Sequence, residues 1–339
     1  MHALVTGAGG FLGRYIVEAL IARGDQVRGL ARGEYSELRS LGVEMVRGDL
    51  ADREAVDAAC RGVDCVFHVA SRVGIWGPWR EYYSANVVGT QNVIDACRAN
   101  GVGRLVFTSS PSVTFDGRDQ CGVDESAPYP SRWLAHYPHS KALAERAVLA
   151  ANGDALQTCA IRPHLVWGPR DHHLTARLIE RARAGRLRSV GDEANLVDMI
   201  FVENAAEAHL RAADALGETA SDFGELSRAA VGGKAYFLSQ GEPVNCWQWI
   251  DEILALVDLP PVRRSMSLAT AWRVGLACEA IWTITGLRSE PPMTRFLASQ
   301  LATSHWFDIS AARRDFGYQP RVSMAEGMRR LGEWLRGQR

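Results

Sequence analysis

Thr6-Gly7-Ala8-Gly9-Gly10-Phe11-Leu12-Gly13 follows directly on the apolar run Ala3-Leu4-Val5 and decides the fold of the first half of the chain. Its glycines have the spacing G-x-x-G-x-x-G. Glycines between a strand and a helix let the backbone approach a pyrophosphate and let the helix pack closely on the strand. The first N–H groups of that helix then face the phosphates. The motif predicts a dinucleotide site that includes Gly7, Gly9, Gly10, Phe11, Leu12 and Gly13.

Outward from this motif, short β-branched runs alternate with helical patterns. The predicted strands are Ala3–Thr6, Gln26–Ala31, Glu44–Arg47, Cys65–Val69, Arg104–Thr108 and Thr158–Ile161. The predicted helices are Phe11–Arg23, Ala51–Cys60, Tyr82–Ala99 and Tyr137–Ala151. Such alternation is typical of βαβ crossovers, so we expect an α/β fold with a doubly wound, Rossmann-type parallel sheet.

The second half loses this rhythm and becomes mainly helical. Helical patterns occur at His172–Ala184, Val202–Ala215, Trp247–Val257, Ser267–Gly286, Thr294–Ala302 and Ser323–Leu335. We therefore predict a dinucleotide-binding domain over residues 1–165 and a smaller, mostly helical substrate lobe over 166–339. Residues 201–215 and 235–239 are candidates to return to the first domain.

Composition excludes several classes of function. The chain has 339 residues and a net charge of −1, so no basic excess is present to hold a nucleic acid. The seven cysteines are scattered and form no C-x-x-C pair, which argues against a zinc site or a disulfide framework. The N-terminus lacks a signal-peptide pattern, and no uncharged run is long enough to predict a transmembrane helix. We expect a cytoplasmic protein.

The apolar segment Met266–Leu287 has two interpretations. It contains Trp272, Leu276, Ile281 and Trp282, with few charges. It is either a helix of the substrate lobe that shapes a slot for alkyl chains, or an interfacial helix in peripheral contact with a membrane or a partner. Because its polar face is thin and poor in Lys and Arg, we favour the lobe helix.

The end of the second strand bears on the choice of dinucleotide. NAD-selective proteins usually place an acidic residue there, whereas this chain has Ala31 followed by Arg32. A guanidinium suits the 2′-phosphate of NADP, so we predict a preference for NADPH over NAD. Asp49 follows the third strand and is equally consistent with a contact to the adenine edge and with capping of the next helix.

Tyr137 and Lys141 form the candidate catalytic pair. Four residues apart on a helix, their side chains share one face. Lys141 and Lys234 are the only lysines among 38 basic residues, so an ammonium at position 141 indicates a chemical requirement. A nearby cation would lower the pKa of the phenol, which could then exchange a proton with a carbonyl or an alcohol. The run after the fifth strand offers Ser109, Ser110 and Ser112 as hydroxyls to orient that carbonyl.

Together these motifs resemble the extended short-chain dehydrogenase/reductase superfamily. The matching pieces are Thr6–Gly13, Gly48–Leu50, His68–Ala70, Asn86–Thr90, Phe107–Ser110, Tyr137 with Lys141, Arg162-Pro163 and Trp167–Pro169. The resemblance implies that Ser110 is the catalytic hydroxyl, that Asn86 supports the active site and that Pro163 to Leu165 touch the nicotinamide. It also implies that Leu50 and Ala70 line the cofactor site, and that the helices Tyr82–Ala99 and Tyr137–Ala151 form a homodimer interface.

Within the superfamily, the chain is similar to the 3β-hydroxysteroid dehydrogenase branch. Thr108–Val113 and Glu145–Asn152 resemble the sterol-4α-carboxylate 3-dehydrogenases. Similarity to the bacterial 2-alkyl-3-oxoalkanoate reductases of olefin biosynthesis is greater, and it lies in Gly233–Phe237, Gln240–Pro243, Glu290–Leu297 and Arg313–Tyr318. Both groups handle a carboxylate β to the reacting carbon. Because Arg32 favours NADPH, we expect reduction of a long-chain 2-alkyl-3-oxo acid.

The resemblance leaves several alternatives open. The second candidate is a 3β-hydroxysteroid or decarboxylating sterol dehydrogenase, and the third is a nucleotide-sugar epimerase or dehydratase. A non-catalytic dinucleotide-binding scaffold is the alternative from another class. Pathway enzymes could be partners of a lipid-converting enzyme.

The substrate contacts are expected in the loop after the fourth strand and near the nicotinamide. A substrate carboxylate requires a cation, for which Arg72 is the first candidate and Arg170 the second. Trp76, Ser112 and His164 complete the expected substrate residues. His164, His172 and His173 lack a third metal ligand at motif spacing, so we predict no metal.

Overall fold

The computed structural model describes residues 1–217 and 231–338. The described strands are β1 (His2–Thr6), β2 (Gln26–Ala31), β3 (Glu44–Arg47), β4 (Cys65–His68), β5 (Arg104–Thr108), β6 (Gln120–Val123), β7 (Gln157–Pro163), β8 (Val166–Trp167), β9 (Ser189–Val190), β10 (Leu196–Val197), β11 (Ile200–Phe201), β12 (Ala235–Leu238), β13 (Val244–Asn245), β14 (Ser265–Met266) and β15 (His305–Phe307).

The described α-helices are α1 (Phe11–Ala22), α2 (Ser36–Ser40), α3 (Arg53–Cys60), α4 (Trp79–Tyr82), α5 (Gly89–Ala99), α6 (His136–Ala150), α7 (Leu174–Arg183), α8 (Val202–Gly217), α9 (Cys246–Ala255), α10 (Leu268–Thr285), α11 (Arg295–Ala302), α12 (Ser310–Phe316) and α13 (Met324–Gly337). A π-helical turn, Tyr83–Val88, joins α4 to α5, and a 3₁₀ turn, Pro111–Thr114, follows β5.

Seven strands form one parallel sheet in the order β12-β7-β5-β4-β1-β2-β3. Successive residues of β1 point to opposite faces, so that Val5 packs with α1 and α8 while Leu4 packs with α3, α5 and α6. Both faces of the sheet are thereby covered, which is why its central strands are continuous apolar runs. The sequence prediction of a doubly wound α/β fold is confirmed.

The chain returns to this sheet after entering the second half. Strand β12 pairs in parallel with β7, and helix α8 packs against α1. The remaining second-half elements surround a separate cluster that includes Trp167, Phe201 and Trp249. Strands β13, β10 and β15 of this half form a four-stranded sheet with β6 of the first half, in the order β13-β10-β15-β6, which the prediction of a mostly helical lobe missed.

Two helix predictions differ from the structure for local reasons. Helix α3 begins at Arg53 because the Asp52 carboxylate accepts hydrogen bonds from the N–H groups of Glu54 and Ala55, so the predicted start at Ala51 was too early. The helix predicted from Tyr82 is interrupted by the π-helical turn, which carries Asn86 in its centre. Such wide turns occur frequently at functional sites.

Helix α10 lies on the surface of the lobe. Only Ala271 and Gly275 are buried, whereas Trp272, Ile281 and Ile284 are exposed. No α10 side chain lines the central cleft, so the prediction that this helix shapes the alkyl slot was wrong. None of the described helices combines the length and the apolarity required to cross a bilayer.

Candidate active site

A cleft of about 1680 Å³ lies along the carboxyl ends of the parallel strands. The ends of β1, β2, β4, β5 and β7 form its floor, and the second-half helices form the opposite wall. Ligands of open α/β sheets bind at this edge because loops there diverge from a rigid scaffold.

The glycine motif forms one end of the cleft. Gly7 has a φ of +69°, and a Cβ there would lie 2.9 Å from the Cα of Ala70. A Cβ on Gly13 would lie 2.2 Å from the carbonyl oxygen of Gly7, so any side chain would push α1 away from β1. No side chain of the described residues caps the N-terminus of α1, which leaves its first N–H groups available for an anion. This backbone fits a dinucleotide pyrophosphate.

The expected cofactor residues beyond the motif also line the cleft. They are Arg32, Asp49, Leu50, Ala70, Pro163 and Leu165, together with Phe11 and Leu12. Arg32 is 83% exposed, and its Nη1 lies 3.9 Å from Asp49 Oδ2, so its guanidinium is held only loosely. Asp49 accepts a hydrogen bond from the N–H of Ala51, but Asp52 is the residue that caps α3. Sequence reasoning missed Tyr35, whose ring packs on Gly9.

Tyr137 and Ser110 meet in the cleft at the end of β5. The phenol interacts with the Ser110 hydroxyl, which also accepts a hydrogen bond from the N–H of Ser112 at 3.3 Å. Desolvation raises the pKa of Tyr137 to about 12, although the interaction with Ser110 opposes the rise. The expectation that Lys141 lowers this pKa is therefore not met in the structure: burial raises the pKa, and the opposing interaction comes from Ser110. The phenol is protonated at neutral pH.

Lys141 lies beneath the cleft floor. Its Nζ donates a hydrogen bond to the carbonyl oxygen of Thr108 at 2.5 Å and sits 4.0 Å from the centre of the Phe107 ring. Burial lowers the pKa of Lys141 to about 7, and Glu145 acts in the opposite direction. Helix α8 supports this arrangement through His209, whose Nε2 lies 2.9 Å from the Thr108 hydroxyl.

Asn86 connects the π-helical turn to two other segments. Its Oδ1 accepts the Arg72 N–H at 2.7 Å, while its Nδ2 donates to the Arg72 carbonyl at 3.0 Å and to Ser140 Oγ at 2.9 Å. Ser140 then donates to the Tyr137 carbonyl oxygen at 2.8 Å. Asn86 does not line the cleft; it fixes the loop and the helix that do.

His164 follows the last residue of β7 and lines the cleft. Its Nδ1 lies 2.6 Å from Asp198 Oδ1, and its Nε2 lies 3.1 Å from His305 Nδ1. Both ring nitrogens are therefore engaged by protein groups. Among the described residues, no three His, Cys, Asp or Glu side chains are arranged to hold a metal ion.

Some of the predicted substrate residues line the cleft and others lie outside it. Arg72 and Ser112 line the cleft, but Arg72 Nη2 already pairs with Glu81 at 2.6 Å. Trp76 does not line the cleft; its Nε1 donates to the Leu287 carbonyl at 3.3 Å. Arg170 makes a two-pronged ion pair with Glu18 outside the cleft, which explains its position without a substrate.

Helix α7 brings a cation that sequence reasoning missed. Arg177 pairs with Glu290, whereas Arg181, one turn along, has no ion-pair partner among the residues that the structure describes. Burial, and secondarily Arg177, lower the pKa of the half-buried Arg181. The spacing Arg177–Arg181 on one helix face was visible in the sequence, but its orientation toward the cleft was not.

The wall opposite the sheet is mainly apolar. Its side chains come from α7, α9 and α11 and the segments beside them, and they are Leu174, Leu178, Leu187, Trp247, Ile250, Phe296, Leu297 and Leu301. This wall and the polar groups at the strand ends face a common space. The arrangement can hold an extended apolar ligand with a carbonyl beside Tyr137 and Ser110.

Comparison with known proteins agrees with this geometry. Residues 4–268 match the model of the 3-beta hydroxysteroid dehydrogenase/isomerase family. The chain is 50% identical to the 2-alkyl-3-oxoalkanoate reductase of Stenotrophomonas maltophilia, with 98% of both chains covered. It is 34% identical to the human decarboxylating sterol-4-alpha-carboxylate 3-dehydrogenase, covering 98% of this chain and 87% of the human protein. The NAD complex of Thermus thermophilus UDP-glucose 4-epimerase superposes with a TM-score of 0.74 at 26% identity, with 99% of each chain covered.

Proposed function

The chain belongs to the 3-beta hydroxysteroid dehydrogenase/isomerase family, and on that premise we propose that it reduces long-chain 2-alkyl-3-oxoalkanoic acids to the 2-alkyl-3-hydroxy acids with NADPH, as a step of long-chain olefin biosynthesis. Its relatives are oxidoreductases that act on hydroxyl and keto groups. The observation that carries the proposal is that Tyr137 and Ser110 both line a cleft whose far wall is apolar.

In the proposed mechanism, Ser110 and Tyr137 bind the 3-oxo oxygen of the substrate. The glycines Gly7, Gly10 and Gly13 would hold the pyrophosphate of a dinucleotide whose nicotinamide, when bound, would supply the hydride for the carbonyl carbon. Tyr137 donates its phenolic proton to the oxygen, which completes the alcohol. Lys141 is anchored to the Thr108 carbonyl and so holds the end of β5, from which the segment with Ser110 continues.

The protonation state of Tyr137 supports the reductive direction. A phenol with a pKa of about 12 is a proton donor throughout the neutral range. Alcohol oxidation requires the opposite state, a phenolate that accepts a proton. The buried phenol is therefore ready for carbonyl reduction without prior ionisation.

The proposed NADPH preference rests on Arg32. Arg32→Ala is expected to raise the KM for NADPH by about 10- to 100-fold, because a charge-assisted contact with the 2′-phosphate is lost. The KM for NADH should change by less than about twofold, since NADH lacks that phosphate. Steady-state kinetics with both cofactors give this comparison.

Arg47→Ala is the matched control for Arg32. Arg47 ends the adjacent strand β3, is 70% exposed and pairs loosely with Glu34 at 3.6 Å. It is not among the residues that line the cleft. An equal effect of the two substitutions, or an equal change for NADH and NADPH, would contradict the assignment of Arg32.

We also propose that a cleft arginine binds the substrate carboxylate. Arg72 is partly neutralised by Glu81, whereas Arg181 has no ion-pair partner among described residues, so Arg181 is the stronger candidate. Arg181→Gln should raise the KM for the 3-oxo acid about tenfold and leave the KM for its methyl ester unchanged. Arg72→Gln should have the smaller effect.

Arg183→Gln provides the control for this comparison. Arg183 is exposed and lies in the same last turn of α7. If neither cleft arginine distinguishes acid from ester, the carboxylate is bound by other groups. The kinetic measurements require only freshly prepared 3-oxo acid and its ester.

Decarboxylating sterol dehydrogenation is the second candidate function. The 34% identity to the human sterol dehydrogenase over nearly the whole chain favours it. The two functions share a carboxylate β to the reacting carbon, but a sterol is a rigid fused-ring ligand. Turnover of a 4α-carboxysterol with NAD, without turnover of a long-chain 2-alkyl-3-hydroxy acid, would select the sterol reaction.

A further inference from the structure

A continuous set of buried hydrogen bonds runs beneath the cleft from the glycine motif to the catalytic helix. It begins at Thr6, the last residue of β1, and ends at the carbonyl of Tyr137. His68, the last residue of β4, stands at its centre and is 1% exposed. The mechanism above assigns no role to this histidine.

The first half of the network holds the floor of the cofactor site. Thr6 Oγ1 accepts hydrogen bonds from the N–H groups of Val69 and Ala70, both at 3.1 Å. Val69 and Ala70 line the cleft, and Ala70 packs directly against Gly7. With its acceptor capacity used by two N–H groups, the Thr6 hydroxyl donates its proton to His68 Nδ1 at 2.8 Å.

The second half leads to the catalytic residues. Thr90 Oγ1 donates to the carbonyl of Asn86 at 2.6 Å, so it accepts a hydrogen bond from His68 Nε2 at 2.9 Å. The Asn86 side chain then holds the backbone of Arg72 and the hydroxyl of Ser140. The network thus fixes both donor and acceptor roles of the imidazole, with the proton on Nε2.

Only a neutral imidazole can accept the hydrogen bond from Thr6 and also donate one to Thr90. Burial, and secondarily the charge of Lys141, lower the pKa of His68 to about 3, so the ring is neutral at physiological pH. An imidazolium would donate from both nitrogens and would leave the Thr6 hydroxyl proton without an acceptor. A buried polar group left unpaired costs more than an average hydrogen bond contributes, so such a network tends to be fully formed or absent.

We propose that His68 is a positioning residue that joins the floor of the cofactor site to the segment carrying Asn86 and, through Ser140, to Tyr137. Its Nδ1 side supports cofactor binding through Thr6, and its Nε2 side supports the chemical step through Thr90. The kinetic half of this inference rests on the proposed function, whereas the cofactor half does not.

Two substitutions of His68 separate the halves. The amide of asparagine occupies the place of Nδ1, so His68→Asn keeps an acceptor for Thr6 and loses the contact with Thr90. The amide of glutamine reaches the place of Nε2, so His68→Gln keeps a donor for Thr90 and loses the contact with Thr6. His68→Asn should lower kcat about tenfold with a nearly unchanged Kd for NADPH. His68→Gln should raise the Kd for NADPH about tenfold with a nearly unchanged kcat.

Threonine variants test the same division without altering the imidazole. Thr6→Val should reproduce the loss of cofactor affinity, and Thr90→Val should reproduce the loss of kcat. Thr6→Ser and Thr90→Ser retain the hydroxyl and should restore wild-type values. Thr158→Val is the matched control, since Thr158 is a fully buried threonine near the start of β7, away from the cleft, whose hydroxyl donates to the Val148 carbonyl of α6.

Cofactor titration, steady-state kinetics and hydrogen exchange of residues 71–88 provide the measurements. The inference predicts opposite patterns for the two sides of the network, with exchange of residues 71–88 faster in His68→Asn and Thr90→Val only. The inference would be overturned if all variants lost cofactor affinity, kcat and Tm in parallel. It would also be overturned if no variant differed from the wild type by more than Thr158→Val does.

If the wild type fails to reduce the 3-oxo acid, the proposed function falls. The Kd and exchange patterns still decide the role of His68 in that case, because neither requires turnover.

Discussion

Tyr137→Phe is expected to lower kcat/KM for reduction by about 10³-fold or more, because it removes the proton donor while the cofactor site stays intact. Phenylalanine fills nearly the same volume, so the fold should be retained. The Kd for NADPH should stay within about twofold of the wild type. Stopped assays with purified variant and substrate at saturating cofactor give the rate.

Ser110→Ala is the companion variant for the Tyr137 prediction. Ser110 interacts with the phenol and lines the cleft, so its loss should lower kcat/KM by about 10²-fold. Ser109→Ala is its control, because Ser109 Oγ is buried and has no hydrogen-bond partner among the described residues. Turnover by Tyr137→Phe at more than a tenth of the wild-type rate would show that another group donates the proton.

The raised pKa of Tyr137 predicts different pH dependences for reduction and for oxidation. Below pH 12 the phenol is mainly protonated, so its capacity to donate a proton is constant across the neutral range. The phenolate fraction needed for alcohol oxidation increases tenfold with each pH unit below that value. We therefore expect kcat for reduction to stay nearly constant between pH 7 and pH 10 while kcat for oxidation of the hydroxy acid increases, and a kcat for oxidation that does not increase over this range would contradict the assignment.

Lys141→Met is the second substitution with a large expected effect. Methionine fills the buried space but supplies neither the charge nor the hydrogen bond to Thr108, so kcat should decrease by about 10²- to 10³-fold. Lys234→Met is the control, since Lys234 is the other lysine of the chain and is largely exposed, where it pairs with Asp315. An unchanged kcat in Lys141→Met would exclude an active-site role for this ammonium.

Lys141→Met should also change how stability depends on pH. The pKa of Lys141 is about 7 in the folded protein and near 10.5 when unfolded, so the unfolded chain binds more protons between these values. The cost of the buried charge is fully present below pH 7 and disappears as the pH approaches 10.5. The variant should therefore gain free energy of unfolding relative to the wild type at pH 6.5 and lose that advantage at pH 9.5, as urea titrations can measure.

The strands of the sheet were predictable from the sequence because their short apolar, β-branched runs are the residues that pack against helices on both faces of the sheet. Strand β2 was predicted at its observed limits since its apolar residues face helices on both sides. The order of the strands was not predictable, because parallel pairs join residues that are far apart in the chain. The contacts of β6 with β15 are an example, with Gln120 paired to His305.

The sequence predicted those parts of the candidate site in which the functional residues must stand at a fixed spacing along the chain. The glycine motif and the pair Tyr137 with Lys141 depend on one turn or one helix, and both lie at the predicted edge of the sheet. The sequence indicated no role for Arg181 or His68, because the roles proposed for them depend on neighbours supplied by tertiary folding. Trp76 was misplaced for the same reason, since its partner Leu287 lies in the lobe.

Absorbance of the reduced nicotinamide, recorded while the protein is mixed with a racemic long-chain 2-alkyl-3-hydroxy acid, tests the central proposal most directly. The hydroxy acid is preferred because its keto partner decarboxylates on standing. Rapid formation of NADPH from NADP⁺, with much less NADH from NAD⁺, is the predicted result. No reduction of either cofactor by the hydroxy acid, together with reduction of NAD⁺ by a 4α-carboxysterol, would contradict the proposal.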